Sequence, residues 1–294
     1  MQNGNTAIPR DTAETLLKYQ RNEITEHLIY GRLAAAEKNA ENAEVLRAIA
    51  ADELRHYEFW KKHTGRDIAP SRLRVYFYYW IARVLGLTFG IKLMERGEEA
   101  AQKKYGAIES AVPGAAAIAR DEEVHEKKLI GMLDEEKLRY VGSIVLGLND
   151  ALVELTGTLA GLSFALQNTR LVALAGFITG IAASLSMAAS EYLSTKHEGG
   201  ESPLKSSVYT GITYVATVLV LIAPYLFIGN YLLCLAATLG TAVCIILLFN
   251  FYISVAKDLP FARRFFEMAA ISLGVAAISF GIGFALRVWI GIEA

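Results

Sequence analysis

The sequence has little cysteine, little histidine and no excess of either charge. Its two cysteines, Cys234 and Cys244, lie inside one apolar segment and read as small packing residues. With no Cys-x-x-Cys pair, a rubredoxin-type iron centre is excluded. A formal net charge of −1, without a long single-sign tract or low-complexity tail, points away from nucleic acid as a partner. The N-terminus, MQNGNTAIPRD, lacks a basic start followed by an apolar run, so no cleavable signal peptide is expected. The first 140 residues are then expected to stay in the cytoplasm.

What is present is distributed unevenly. Hydrophobic residues make up 53% of the 294 and mean hydropathy is +0.32, yet most of the charge falls before residue 140. The length suits about two domains. The composition break divides them into a soluble part, 1–139, and a membrane part, 140–294. The reading is all-α throughout.

In the soluble part, Pro9 and Asp11 start a helix that runs to about Lys38, with apolar Leu16, Leu17, Ile24, Leu28 and Leu33 at helix-compatible intervals. It carries Glu23 and Glu26, with Tyr30 seven residues after Glu23. A second helix, from about Glu41 to His63, ends at Gly65 and contains Asp52-Glu53-Leu54-Arg55-His56. A third, bent at Gly86 or Gly90, carries Glu95, Glu98 and Glu99, then Tyr105. A fourth, started by Pro113, holds Glu122 and His125. In the third helix, 75–93 is strongly apolar despite Arg83, and a hydrophobic bundle interior explains this most simply. Its aromatics would otherwise rest on the membrane interface or on a second subunit.

The four helices thus form two similar pairs, each an acidic helix followed by a Glu-x-x-His helix. Glu23 precedes Glu53 by 30 residues and Glu95 precedes Glu122 by 27. The spacing of three puts carboxylate and imidazole on one helical face. Two iron or manganese ions need a cage of carboxylates with one imidazole each, which a four-helix bundle supplies in this pattern. The two motifs also use two of only five histidines, leaving His27, His63 and His197 as ordinary surface or interface residues. Over residues 10–138 the arrangement resembles the ferritin-like superfamily, in its rubrerythrin-type members. The resemblance implies a site for two Fe or Mn ions with Glu23, Glu53, His56, Glu95, Glu98, Glu122 and His125 as ligands. Interval symmetry favours Glu95 as the counterpart of Glu23, whereas the tyrosine spacing favours Glu98. Glu26 and Glu99 are secondary candidates.

Five apolar segments of spanning length follow, at about 141–166, 171–193, 207–229, 231–255 and 268–290. With the N-terminal domain in the cytoplasm, the second and fourth breaks face inward. They carry Lys196, Lys205, Lys257, Arg263 and Arg264, against Arg170 and Arg287 outside, in accord with the positive-inside bias. An odd number of spans puts the C-terminus on the outer side. Within the spans the ionisable residues are Asp150, Glu154 and Glu191, each costing on the order of 2.5–3.5 kcal/mol at mid-membrane. Asp150 and Glu154 share one face of the first span, and Met187 lies four before Glu191 on the second. Carboxylate with thioether suits Fe(II) or another divalent transition metal better than Ca or Mg. Gly157-x-x-x-Gly161 and Gly176-x-x-x-Gly180 allow close helix approach, within one subunit or at a dimer seam.

Gly147-Leu-Asn-Asp150-Ala and Ser186-Met187-Ala188-Ala189-Ser190-Glu191-Tyr192-Leu193 resemble stretches of the first two spans of the vacuolar iron transporter family. The resemblance covers 140–292. It implies a homodimer in the lipid bilayer, with Asp150, Glu154, Met187 and Glu191 along the path, although Glu191, near the cytoplasmic end, also suits a structural role. The chain departs from the plant-type pattern, which has a glutamate-rich helical insert between the second and third spans; here that link is only Thr195–Ser207. A ferritin-like domain joined to such a membrane domain resembles membrane-bound ferritin-like iron exporters of bacteria and archaea. The expectation is therefore export of Fe(II), and of Mn(II), in exchange for protons, with the bundle collecting, sensing or oxidising iron. The alternative is a membrane-anchored di-iron ferroxidase or peroxide-reducing enzyme.

Overall fold

The computed structural model describes residues 10–96, 112–131, 140–200 and 202–290. All regular structure among them is helical, in ten helices. The first five are α1 (Arg10–Ala36), α2 (Ala40–Thr64), α3 (Arg72–Leu85), α4 (Leu87–Arg96) and α5 (Ala115–Gly131). The membrane-length helices are α6 (Val141–Leu166), α7 (Thr169–His197), α8 (Pro203–Phe227), α9 (Tyr231–Ala256) and α10 (Phe261–Ile290). The chain divides into two compact units, Met1–Glu135 and Glu136–Ala294. A continuous helix through residues 121–155 would pass through 132–139, which lie outside the described residues.

In the first unit α1 and α2 form an antiparallel hairpin. Gln20 Nε2 donates to Arg66 O, and His27 Nδ1 lies 2.7 Å from Ala50 O, so positions rising on one helix meet positions falling on the other. Asn39 caps α2, accepting from the backbone N–H groups of Glu41 and Asn42 that the first turn leaves unsatisfied. Gly65 ends it in the left-handed conformation at φ 65°. Leu46, Ile49 and Trp60 of α2 and Leu16 and Ile29 of α1 are fully buried. α3 packs on α1, and α5 on α2.

Residues 75–93 depart from expectation twice. They are two helices, because Gly86 takes φ 108° and ψ 149°, a conformation that only glycine adopts without strain. The chain then folds back, and a Cβ on Gly90 would lie 2.5 Å from that of Ala82. Nor is the stretch wholly bundle interior. Val75 and Ala82 are buried, but Tyr76, Phe77, Trp80 and Val84 are exposed. α3 is apolar on two faces, and the described part of the unit covers only one.

In the second unit α6 is the hub and touches α7, α8, α9 and α10. Asn168 caps α7 and Asn230 caps α9. Both glycine pairs are used inside this unit: Gly157 and Gly161 face Val275 and Ser279 of α10, whereas Gly176 faces Leu159 and Gly180 faces Val218. The helices overrun the apolar segments. α7 continues through Thr195, Lys196 and His197, and α10 begins at Phe261, because hydropathy marks the edge of the hydrocarbon and not the end of a helix. The link between α7 and α8 shortens accordingly to residues 198–202.

Gly147 sits where α6 meets α8, and a Cβ there would lie 2.5 Å from Thr210 O. Next to it Thr210 Oγ1 donates to Ser143 O over 3.0 Å. Gly147→Val would push the helices apart and break that bond, and is expected to destabilise the unit by about 2–3 kcal/mol. Unfolding in mixed micelles would measure this; an unchanged midpoint would contradict the close packing.

Candidate functional site

The first unit gathers polar side chains in its interior, whereas the second strings them along its helices. In the first, α1 supplies Glu23, α2 supplies Asp52, Glu53 and His56, and α5 supplies Asp121, Glu122 and His125. Glu23, Glu53, His56 and His125 are 1–4% exposed. Ligand atoms from Glu23, Glu53, His56 and Glu122 all lie within 4.8 Å of one another. The side chain of Glu95, and the whole of Glu98, Glu99 and Tyr105, lie outside the described residues. Glu26 is also buried on α1.

Glu53 and Glu122 each serve both imidazoles. Glu53 Oε2 is 3.5 Å from His56 Nδ1, and its Oε1 is 3.2 Å from His125 Nδ1. Glu122 Oε1 is 3.1 Å from His56 Nδ1, and its Oε2 is 3.8 Å from His125 Nδ1. Glu23 faces His56 alone among the two, at 3.7 Å. Its Oε1 accepts from the indole of buried Trp60 at 2.9 Å, which orients the other oxygen inward.

Sequence reasoning missed a reciprocal pairing. His125 Nε2 lies 2.9 Å from Asp52 Oδ2, and His56 Nε2 lies 3.4 Å from Asp121 Oδ2. The aspartate before each Glu-x-x-His therefore faces the histidine of the other motif. With Nε2–H donating outward, each imidazole, once a metal displaces its Nδ1 proton, would direct the Nδ1 lone pair to the space between the glutamates. His56 Nδ1, His125 Nδ1 and Glu53 Oε2 are buried and lack hydrogen-bond partners. The signal was present in the sequence as Asp-Glu-x-x-His repeated at 52–56 and 121–125.

The charge is unbalanced in favour of a cation. Five carboxylates (Glu23, Asp52, Glu53, Asp121 and Glu122) gather around two imidazoles, with Arg55 paired to Asp52 at 2.6 Å. Burial raises Glu23 far above the usual carboxylate range; His56 opposes the shift, and Glu53 and Glu122 add to it. Burial disfavours charge on His56, but Glu122, Glu23 and Glu53 overcome it and hold the imidazole well above its ordinary value. Burial acts likewise on His125, where Glu122, Glu53 and Asp52 prevail and raise it to about 10. Glu122 is held at about 2: its burial is outweighed by His125 and His56. Carboxylate oxygens with two inward imidazole nitrogens suit Fe(II), Mn(II) or Zn(II). The orphaned buried atoms fit a metal that would complete them.

In the second unit the acids lie along α6. Asp150 is half-buried, and Glu154 is exposed in the single chain although its Oε2 accepts from Tyr214 at 2.8 Å. Tyr214 itself is fully buried on α8. Glu191 accepts from Ser143 Oγ at 2.6 Å, which ties α7 to α6. The contacts of Ser143 with Glu191 and of Gly176 with Leu159 set the antiparallel register. It places Met187, partly buried against the unit's core, level with Gly147. From Glu191 through Met187 and Asp150 to Glu154, the donors are spread over about 16 Å of α6 at 1.5 Å per residue. Ser143, Thr210 and Tyr214 had no marker beyond being polar within apolar spans. Cys234 is buried and Cys244 exposed, both as free thiols.

No curated protein matches the chain. Residues 141–200, which comprise α6 and α7, match the VIT family. That stretch holds Asp150, Glu154, Met187 and Glu191, and together with five helices long and apolar enough to cross a membrane the match supports a VIT-type membrane domain in the second unit.

Proposed function

We propose that the protein exports Fe(II), and Mn(II), from the cytoplasm in exchange for protons, and that its first unit is a ferritin-like domain that serves this transport. The observation that carries the reading is the pair Asp150 and Glu154 on the hub helix of the membrane unit. A membrane anchor has no use for two acids there, since each is expensive in hydrocarbon. Either a proton or a divalent metal neutralises such a carboxylate, so the two cargoes compete for the same oxygens. Tyr214 holds one oxygen of Glu154 and leaves the other available. Met187 adds a thioether between Glu191 and Asp150, favouring transition metals over Ca or Mg.

Glu154 is exposed on the helix that otherwise contacts every other span. A second copy covering that face would enclose the acids, so the transporter is a homodimer with the path at its seam. The N-terminal unit lies in the cytoplasm and the C-terminus outside, in accord with the basic residues of the second and fourth links.

In the first unit, Glu23, Glu53, His56, Glu122 and His125 would hold two Fe or Mn ions, joined by Glu95 or Glu98. Bound iron would supply one-electron chemistry, so that Fe(II) could be sensed there or, with dioxygen or a peroxide as the electron acceptor, oxidised. The protein's own part is to fix the ligands: Asp52 and Asp121 set the tautomer and tilt of the two imidazoles, and Trp60 sets Glu23. Asp52→Ala should lower metal affinity about 10–100-fold while leaving the ligands in place. Mn(II) titration followed by electron paramagnetic resonance would read this, and unchanged affinity would remove Asp52 from the site.

The decisive experiment is Fe(II) flux into or out of proteoliposomes under an imposed pH gradient. Gradient-driven flux supports antiport. If there is none, while iron is bound and oxidised, the activity belongs to the first unit and the spans are an anchor.

A further inference from the structure

The outer face of α3 is a continuous apolar stripe. Leu73, Tyr76, Phe77, Trp80 and Val84 stand at positions i, i+3, i+4, i+7 and i+11 of one helical face and are 82%, 54%, 53%, 59% and 64% exposed. The opposite face already packs inward through Val75 and Ala82, so the stripe is surplus to the unit's core. Exposed aromatic and aliphatic side chains in such a row mark a surface that meets something apolar.

The charge around the stripe selects the occupant. α3 carries Arg72, Arg74 and Arg83 and no acid. The guanidinium of Arg32 on α1 lies over the Tyr76 ring, 4.9 Å from its centroid, and adds a further cation at the edge. A second copy pairing face to face would bring arginines against arginines with no carboxylate from α3 to meet them. A phospholipid surface offers phosphates to the guanidinium groups and acyl chains to the aromatics, and tryptophan and tyrosine favour that depth. The same chain crosses a bilayer, so the unit meets such a surface at high effective concentration whichever way it is turned.

We infer that α3 is an interfacial membrane helix that seats Leu73, Phe77, Trp80 and Val84 among lipid headgroups, with anionic phosphates on the exposed Arg72 and Arg83, Arg74 being held by Asn22. This inference stands independently of metal transport.

The test uses the full chain reconstituted in vesicles of phosphatidylcholine with phosphatidylglycerol. Of the three tryptophans, Trp60 is fully buried and Trp289, 88% exposed, lies at the end of the last span. In a Trp289→Phe background Trp80 is read as the difference from Trp80→Phe, because buried Trp60 emits equally in both. Lipids brominated high on the acyl chain should quench Trp80 more than lipids brominated near its end, and the quenched component should vanish in Trp80→Phe. Phe77→Glu with Val84→Glu should abolish the quenching while Mn(II) binding, a check that the unit is folded, persists. Omitting phosphatidylglycerol should weaken it. Two outcomes would overturn the inference. Unquenched emission at short wavelength would mean that a second copy covers the stripe. Emission at long wavelength, open to aqueous iodide, would mean that water does.

Discussion

Asp150→Ala in the full chain is expected to reduce gradient-driven Fe(II) flux at least about tenfold, with the protein still inserted and folded. A carboxylate beside a divalent ion in a partly wet site contributes on the order of a few kcal/mol, and about 1.4 kcal/mol suffices for a factor of ten. Alanine removes the charge and every oxygen at that height of α6. Asp150→Asn keeps the shape and one carbonyl oxygen but exchanges no proton, so it should fail almost as fully. Tyr214→Phe should be milder: it frees Glu154 Oε2 from its donor while both acids remain. Wild-type rates in Asp150→Ala would reject the assigned path, even if the chain transports metal by another route. Because α6 is the hub of its unit, thermal unfolding of each variant must accompany the flux measurement.

The second large effect concerns stoichiometry in the first unit. Glu53 and Glu122 each offer one oxygen toward His56 and the other toward His125. Removing either should therefore abolish binding of both metals. Glu23 faces only His56 of the two, so its loss should leave one metal bound. The suitable variant is Glu23→Gln, because it retains an oxygen for the Trp60 indole, whereas alanine would lose that hydrogen bond. Metal content per chain after dialysis against Mn(II) reads the difference: two in wild type, one in Glu23→Gln and none in Glu53→Ala or Glu122→Ala are the expected values. Equal losses in all three variants would mean a single-metal site and would contradict the two-ion reading. Fe(II) flux in the same variants would then say whether the bundle is required for transport or only regulates it.

Local patterns carried much of the architecture. Helix α1 was legible from its apolar periodicity, the end of α2 from Gly65, and the five membrane-length helices from hydropathy. Both signals come from residues close in sequence. Spacing alone put Glu53 with His56, and Glu122 with His125, on single helical faces. The fold of 75–93 was not legible, because Gly86 permits either a bend or a complete reversal and the difference lies in one backbone angle. Nor could the exposure of Trp80 be read, since α3 is apolar on two faces and composition does not say which face finds a partner.

The sequence by itself thus determined that the chain is helical, that its second half has the length and hydropathy to cross a membrane five times, and that scarce acids and histidines recur at helical spacing. Tertiary structure alone decided which of those groups meet. Asp52 faces His125 from 73 residues away, Asp121 faces His56 from 65 and Tyr214 faces Glu154 from 60. Such pairings depend on the register and rotation of one helix against another. A shift of a single residue turns a side chain by about 100° around its axis, so no pattern within either helix specifies them.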